Sequence, residues 1–192
     1  MILIICLAVG LALRVLSGRG LSSLAHARLR GETPLLLLLL LQALLPLLRL
    51  TGGAAHVAFY FWLATFPVLA SVAWLNRSQP GMAVLGLGLL LNFVVIGVNG
   101  GMPVLPAAIV AVTGTARLHS IPAGDFVHLV GSGMTRLPWL ADSLPLPGPT
   151  WLRSVASAGD CLLFVGVAAY LAAAQTRVTV DMETGAQTPS GG

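Results

Sequence analysis

Long apolar runs separated by short polar breaks dominate this chain, and the runs lack the one-sided stripe of a surface helix. Five are predicted to be spanning helices, at residues 2–16, 34–50, 54–75, 82–98 and 155–175. Several are shorter than the roughly 20 residues that a ~30 Å hydrocarbon core requires. The second opens in "ETPLLLLLLL", where Thr33 suits a helix cap and Pro34 the first turn, a place where the N–H lacks a partner anyway. Pro46 and Pro67 fall inside the second and third runs and predict bends that neighbouring helices must accommodate. The fourth run stops on "NGGMPV". Gly100 and Gly101 are expected to supply positive φ and open amides for that stop, and Pro103 to keep the helix from resuming.

Beyond Val104, the stretch 105–115 is too apolar for an open loop and too short to cross, so it predicts a re-entrant or interfacial helix started by Pro106 and ended by Gly114. The remainder, to residue 154, is rich in glycine and proline and places Trp139 and Trp151 where indoles favour the headgroup level. It reads as a cap on the outer face. The expected fold is therefore an all-α integral membrane protein, a bundle of about five transmembrane helices with a short re-entrant or interfacial helix and an outer-face cap. Residues 1–177 form one domain, and 178–192, ending "TGAQTPSGG", a disordered cytoplasmic tail.

Composition supports the membrane class: 57% of the 192 residues are hydrophobic and 8% charged, where soluble domains average about 25% charged. The lipid bilayer is the partner this implies. The net charge of +4 comes from scattered arginines with no lysine, which excludes the clustered basic face of a nucleic-acid binder. Arg14, Arg19, Arg28 and Arg30 follow the first run, whereas a secretory signal carries its charges before the apolar core, so "LAHA" is not read as a cleavage site. The positive-inside rule places 17–33 in the cytoplasm, together with Arg77 and Arg177. The N-terminus and 99–154 then face outward from a bacterial inner membrane, with the C-terminus cytoplasmic.

The polar residues that could carry chemistry are Asn92, Asn99, His119, Asp125, His128, Asp142 and Asp160. Asp160 stands out, because the predicted fifth span puts it about one and a half turns inside the apolar segment, where a carboxylate costs up to ~3 kcal/mol at the bilayer centre. Arg153, His56 and the amides around Gly100 and Gly101 are its candidate partners. A structural tie is preferred for it over a proton- or cation-handling site. Asn92 reads as an interhelical hydrogen bonder, and Gly159, Gly166, Ala169 and Ala173 as a close-packing seam. Asp125 and His128 share a face at i, i+3 spacing, with His119 or Asp142 as further ligands, but no tight zinc-type spacing accompanies them. No metal or cofactor is assigned. Ser132 in "GSG" lacks a nucleophile elbow, and there is no P-loop. Cys6 and Cys161 read as small buried hydrophobes at similar depth, a placement that leaves a disulfide geometrically open.

In order, "NGGMPV", "FVHLV", "TRLPWLADSLPLP" and "SAGDCLLFVGV" resemble a family of bacterial multi-pass membrane proteins known only as a domain of unknown function. Its pattern is NGG-x-MPV, a histidine, L-G-D-x-x-P and S-x-G-D. Asn99, Gly100, Gly101, Met102 and Pro103 match the first motif, His128 the histidine, Asp142 and Pro145 the third, and Ser157, Gly159 and Asp160 the last. This chain lacks the residue between the glycines and Met102, has Ala141 for a glycine, and Ala158 for a branched residue. The resemblance implies an outer-face cluster of Asn99, His128, Asp142 and Asp160 and supplies no activity. With no complete catalytic constellation, the expected function is non-enzymatic, structural or accessory. A small solute or ion carrier using Asp160, which five spans would need a homo-oligomer to form, is the alternative. An outer-face enzyme or metal protein is the third reading.

Overall fold

The computed structural model describes residues 29–113, 125–146 and 153–173. The predicted first span, Cys6, Gly114, His119, Trp151 and the tail lie outside them. Helix α1 (Glu32–Leu44) starts after Gly31, whose φ of 77° lies in the left-handed region. Thr33 is thus inside the first turn and does not cap it, contrary to the sequence expectation. Pro46 cannot donate to an α-helical ladder, and the chain tightens into a 3-10 turn over Leu45–Leu48 before ending at Arg49.

Helix α2 (Gly52–Leu75) continues through Pro67 without a break. Helix α3 (Met82–Asn99) follows a short turn and matches its predicted bounds closely. The chain then forms strand β1 (Met102–Val104), helix α4 (Pro106–Thr113), strand β2 (His128–Val130), a 3-10 turn at Pro138–Leu140, strands β3 (Leu144–Leu146) and β4 (Ser154–Ala156), and helix α5 (Ala158–Ala173). β1 pairs in parallel with β2, and β3 antiparallel with β4. Among the described residues, the segment between α3 and α5, called the cap below, therefore carries two small strand ladders, which corrects the all-α expectation.

Five spanning helices are not supported either. Among the described residues, only α2 and α3 are long and apolar enough to cross a membrane, with mean hydropathies of 1.6 and 2.1, and the apolar pieces Thr33–Leu48 and Ala158–Leu171 are shorter. The fifth predicted run fails at its start. Val155 and Ala156 are apolar because they sit in β4, so α5 begins at Ala158.

α3 is the central helix, packed on α2 along one side and α5 along the other. Glycine sets its distance from α5. A Cβ on Gly159 would stand 1.9 Å from the Asn92 side-chain oxygen, one on Gly166 would stand 2.8 Å from the Gly81 carbonyl, and one on Gly88 would stand 2.7 Å from the Gly159 carbonyl. This pairs residues 88–92 with Gly159 and 81–85 with Gly166, so the two helices are antiparallel. The core lies between α2 and α3 and runs into the cap: Phe59, Trp62, Leu63, Phe66, Leu69, Val95 and Ile96 join Met102, Val127 and Leu140 in one buried cluster. Trp62 and Phe66 meet edge to face with centroids 4.9 Å apart, the arrangement an aromatic quadrupole prefers. α1 joins this core through Gln42, whose side-chain amide donates to Thr65 Oγ1 and whose backbone carbonyl accepts the Trp62 Nε1–H at 3.3 Å.

Candidate functional site

The site is assembled where α3 and α5 meet the cap. Ser157 and Asp160 cap α5 reciprocally: the Asp160 N–H donates to Ser157 Oγ at 3.0 Å, and the Ser157 N–H donates to Asp160 Oδ2 at 3.1 Å. This is the logic of a capping box, with two of the orphan donors at a helix start satisfied by each other's side chains. Asp160 consequently sits in the first turn of α5, where the helix dipole favours an anion. It does not sit one and a half turns inside a span. Asn92, projecting from α3, completes the tie. Its Nδ2 donates to Asp160 Oδ1 at 2.9 Å, and its Oδ1 accepts Ser157 Oγ at 3.0 Å. Ser157 is fully buried and Asn92 nearly so. His56, a candidate partner on sequence grounds, instead has its ring nitrogen on the Gly52 carbonyl.

The NGGMPV stretch is a second junction. Asn99 donates Nδ2 to the Val95 and Arg136 carbonyls at 2.8 and 2.9 Å and accepts the Arg136 N–H at 2.9 Å, so one amide side chain pairs with the Arg136 backbone as a strand would. Gly100 has φ 72°, and the Gly101 N–H reaches back to the Ile96 carbonyl at 3.1 Å, a Schellman-type stop. The two glycines serve different ends. Gly100 alone has positive φ, with open space where a Cβ would be. On Gly101, by contrast, a Cβ would press on Leu129 at 2.9 Å. The amides are also not open, since Gly101 already donates.

Met102 is buried and faces His128 in the β1–β2 register. Pro103 is fully buried, and its carbonyl accepts the Asp142 N–H at 2.9 Å, while the Asp142 carbonyl accepts the Leu105 N–H at 2.9 Å. Asp142 thereby lies alongside Val104 on the edge of β1 opposite β2. Ser143 then donates to the Ala156 carbonyl at 3.2 Å, which brings the fourth motif against the third.

The Asp142 side chain differs from the others. The residue is 5% exposed, and its Oδ1 has no hydrogen-bond partner. Burial and the nearby Asp160 charge push its carboxyl up to about 7, against a weaker opposing pull from His128. His128 is more exposed. Its Nδ1 lies 2.9 Å from Asp125 Oδ2, while Asp125 Oδ1 accepts the Val127 and His128 N–H groups at 2.9 and 3.0 Å. Burial lowers the imidazole pKa, but the hydrogen bond and charge of Asp125, aided by Asp142 and Asp160, leave it above its ordinary value. Burial likewise raises Asp125, and the bonds to His128 outweigh it to leave that carboxyl below its usual range.

Among the described residues, no three His, Cys, Asp or Glu side chains gather as metal ligands. Ser132 is held in a turn with Thr135, its N–H donating to Thr135 Oγ1 at 2.8 Å. Cys161 is exposed on α5.

Backbone pairing links the four motifs in series, and a model of one family matches residues 26–172. The chain belongs to DUF5317, a family of unknown function. An uncharacterised protein of Thermotoga maritima is 35% identical over 96 residues, which cover 48% of this chain and 51% of that protein. The aligned part thus spans about half the length of this curated relative. No solved structure matches. The DUF5317 match covers every motif residue named above. Ser157 and Arg136 were not singled out as the working partners of Asp160 and Asn99. The first was detectable as S-x-x-D ahead of an apolar run, whereas the second, a backbone contact 37 residues away, has no local signal.

Proposed function

We propose that this DUF5317 protein is a multi-pass protein of the bacterial inner membrane with a non-enzymatic, structural or accessory role, in which the four motifs lock a cap onto the outer end of the helix bundle. The supporting observation is that Asn92, Asn99, Ser157 and Asp160 direct their hydrogen bonds at one another and at backbone. Membrane residence is supported by the exposed apolar side chains of α1, α2 and the turn after α1, among them Leu36, Leu37, Leu47, Val57, Tyr60 and Phe61, since contiguous exposed apolar surface marks a membrane or protein contact. The orientation proposed, with the cap outside, is supported by Arg30 and Arg77 at the end opposite the cap, Arg30 being one of three arginines in the short segment 17–33 that the positive-inside rule assigns to the cytoplasm.

The test pairs stability with phenotype. Asp160→Asn and Asn99→Ala should lower the melting temperature and folded yield of protein extracted from membranes. Variants that stay fully stable yet lose the phenotype of the deleted gene would overturn the structural role, and recovery of the wild type in the soluble fraction would overturn the membrane reading.

A second reading, carriage of protons or small cations, is favoured by one observation, the buried and unpartnered Asp142 oxygen beside Asp160. Proteoliposome flux that is unchanged in Asp142→Asn would remove it.

A further inference from the structure

At the end of the bundle opposite the cap, Asn76 repeats the device used by Asn99. It ends α2, is buried, donates Nδ2 to the Val72 and Arg30 carbonyls at 2.8 and 2.9 Å, and accepts the Arg30 N–H at 2.9 Å. The backbone of Arg30 is thereby fixed beside the C-terminus of α2, 46 residues away in sequence. Arg77 is anchored as well: its guanidinium carbon lies 5.0 Å from the Trp74 ring centroid, and one Nη donates to the Trp74 carbonyl at 3.3 Å. Arg30, Leu75, Arg77 and Ser78 line a depression of about 320 Å³. Apart from Glu32, which opens α1, the acidic residues among those described are Asp125, Asp142 and Asp160, all in the cap or at its junction.

We infer that this depression binds a phosphate group, with the Arg30 and Arg77 guanidinium groups as its cationic contacts and the Ser78 hydroxyl as a neutral donor. Guanidinium forks match phosphate oxygens in geometry as well as charge. Arg77 spends one donor on the Trp74 carbonyl, which also offsets the negative end of the α2 dipole that would otherwise repel an anion. Neither guanidinium is held by Asp125, Asp142 or Asp160, and Asp125 pairs with His128 at the opposite end. Leu75, 56% exposed, lines the depression, and Trp74, 62% exposed, lies against Arg77, apolar surface that suits a phosphate carrying acyl chains, and basic pockets on the cytoplasmic side of helix bundles hold anionic headgroups. The lipid source rests on the membrane reading; the phosphate chemistry does not.

The test uses the full chain in mild detergent. Native mass spectrometry should show phosphatidylglycerol retained on the order of tenfold over phosphatidylcholine of matched chains. The preference should vanish in the Arg30→Gln, Arg77→Gln double variant and persist in Arg49→Gln, at the other end of α1. Because Asn76 holds the Arg30 backbone and not its side chain, the double variant keeps the fold, which an unchanged melting temperature without ligand checks. A melting-temperature rise with inorganic phosphate, lost in the double variant and without lipid preference, would assign the site to a free phosphate compound. Equal retention of both lipids with no response to phosphate, or a preference that survives the double substitution, overturns the site. A wild-type protein found in the soluble fraction would defeat the membrane reading while leaving the phosphate measurement decisive.

Discussion

Replacing Asp142 with asparagine should reverse its effect on stability between pH 4 and pH 8. In the wild type, Asp142 is 5% exposed with an unpartnered oxygen, and its carboxyl titrates at about 7 instead of 3.8. That displacement corresponds to about 4 kcal/mol against ionisation in the folded state. Between those two values the folded protein holds a proton that the unfolded chain has released, so stability falls as pH rises from about 4 to about 7 and levels off above. Asparagine cannot ionise and escapes this loss, but its amide brings donors into a buried position with no partner at Oδ1, at a cost of roughly 1–3 kcal/mol. The variant should therefore melt below the wild type at pH 4, where little of this loss has set in, and above it at pH 8, by about 1–3 kcal/mol. Thermal unfolding in one detergent at both pH values reads this directly. Asp160→Asn, which removes the like charge, should move the wild-type transition to lower pH. A difference between Asp142→Asn and wild type that is the same at both pH values refutes the reasoning.

Gly159→Ala forces a methyl to within 1.9 Å of the Asn92 oxygen and 2.9 Å of the Gly88 backbone, and it should cost about 2–4 kcal/mol, measured as a fall in melting temperature. Gly100→Ala meets open space and suffers only its positive φ, about 1–2 kcal/mol; Gly101→Ala has ordinary φ but collides with Leu129, so relief by Leu129→Ala should be specific to Gly101→Ala in a double-mutant cycle. Asp125→Asn keeps an acceptor for the Val127 and His128 N–H groups yet removes the charge that holds His128 up; NMR titration should show the imidazole moving down. Because the folded value is the raised one, the stability this pair contributes is full below about pH 6.5 and is lost as pH climbs through the folded value, a loss absent from Asp125→Asn.

The helices that cross the bundle were readable because their ends carry local signals. α3 is bounded by Gly81 and Gly100, both at positive φ, and its apolar run has no polar residue except Asn92 until Asn99. α5 was read too long for an equally local reason. Val155 and Ala156 extend the apolar run, and only the S-x-x-D box at Ser157 and Asp160 marks the true start. Three-residue strands are too short for alternation to register, so β1 through β4 are set by partners far along the chain, such as Met102 with His128. The motif residues were visible in the sequence, but their roles were not. Asp160 is stitched into a cap, Asn99 is stitched to the Arg136 backbone, and Asp142 is left with a free oxygen, and each outcome depends on a contact that periodicity does not encode.

The most direct test of the cap lock is hydrogen exchange in protein purified from membranes, comparing wild type with Asp160→Asn and Asn99→Ala. The account predicts that amides of β1 and β2 exchange on the order of tenfold faster in both variants, as expected for a loss of about 1–2 kcal/mol of local stability, while the interior of α2 keeps its protection. Unchanged exchange in the cap of both variants would contradict the claim that these residues hold it in place.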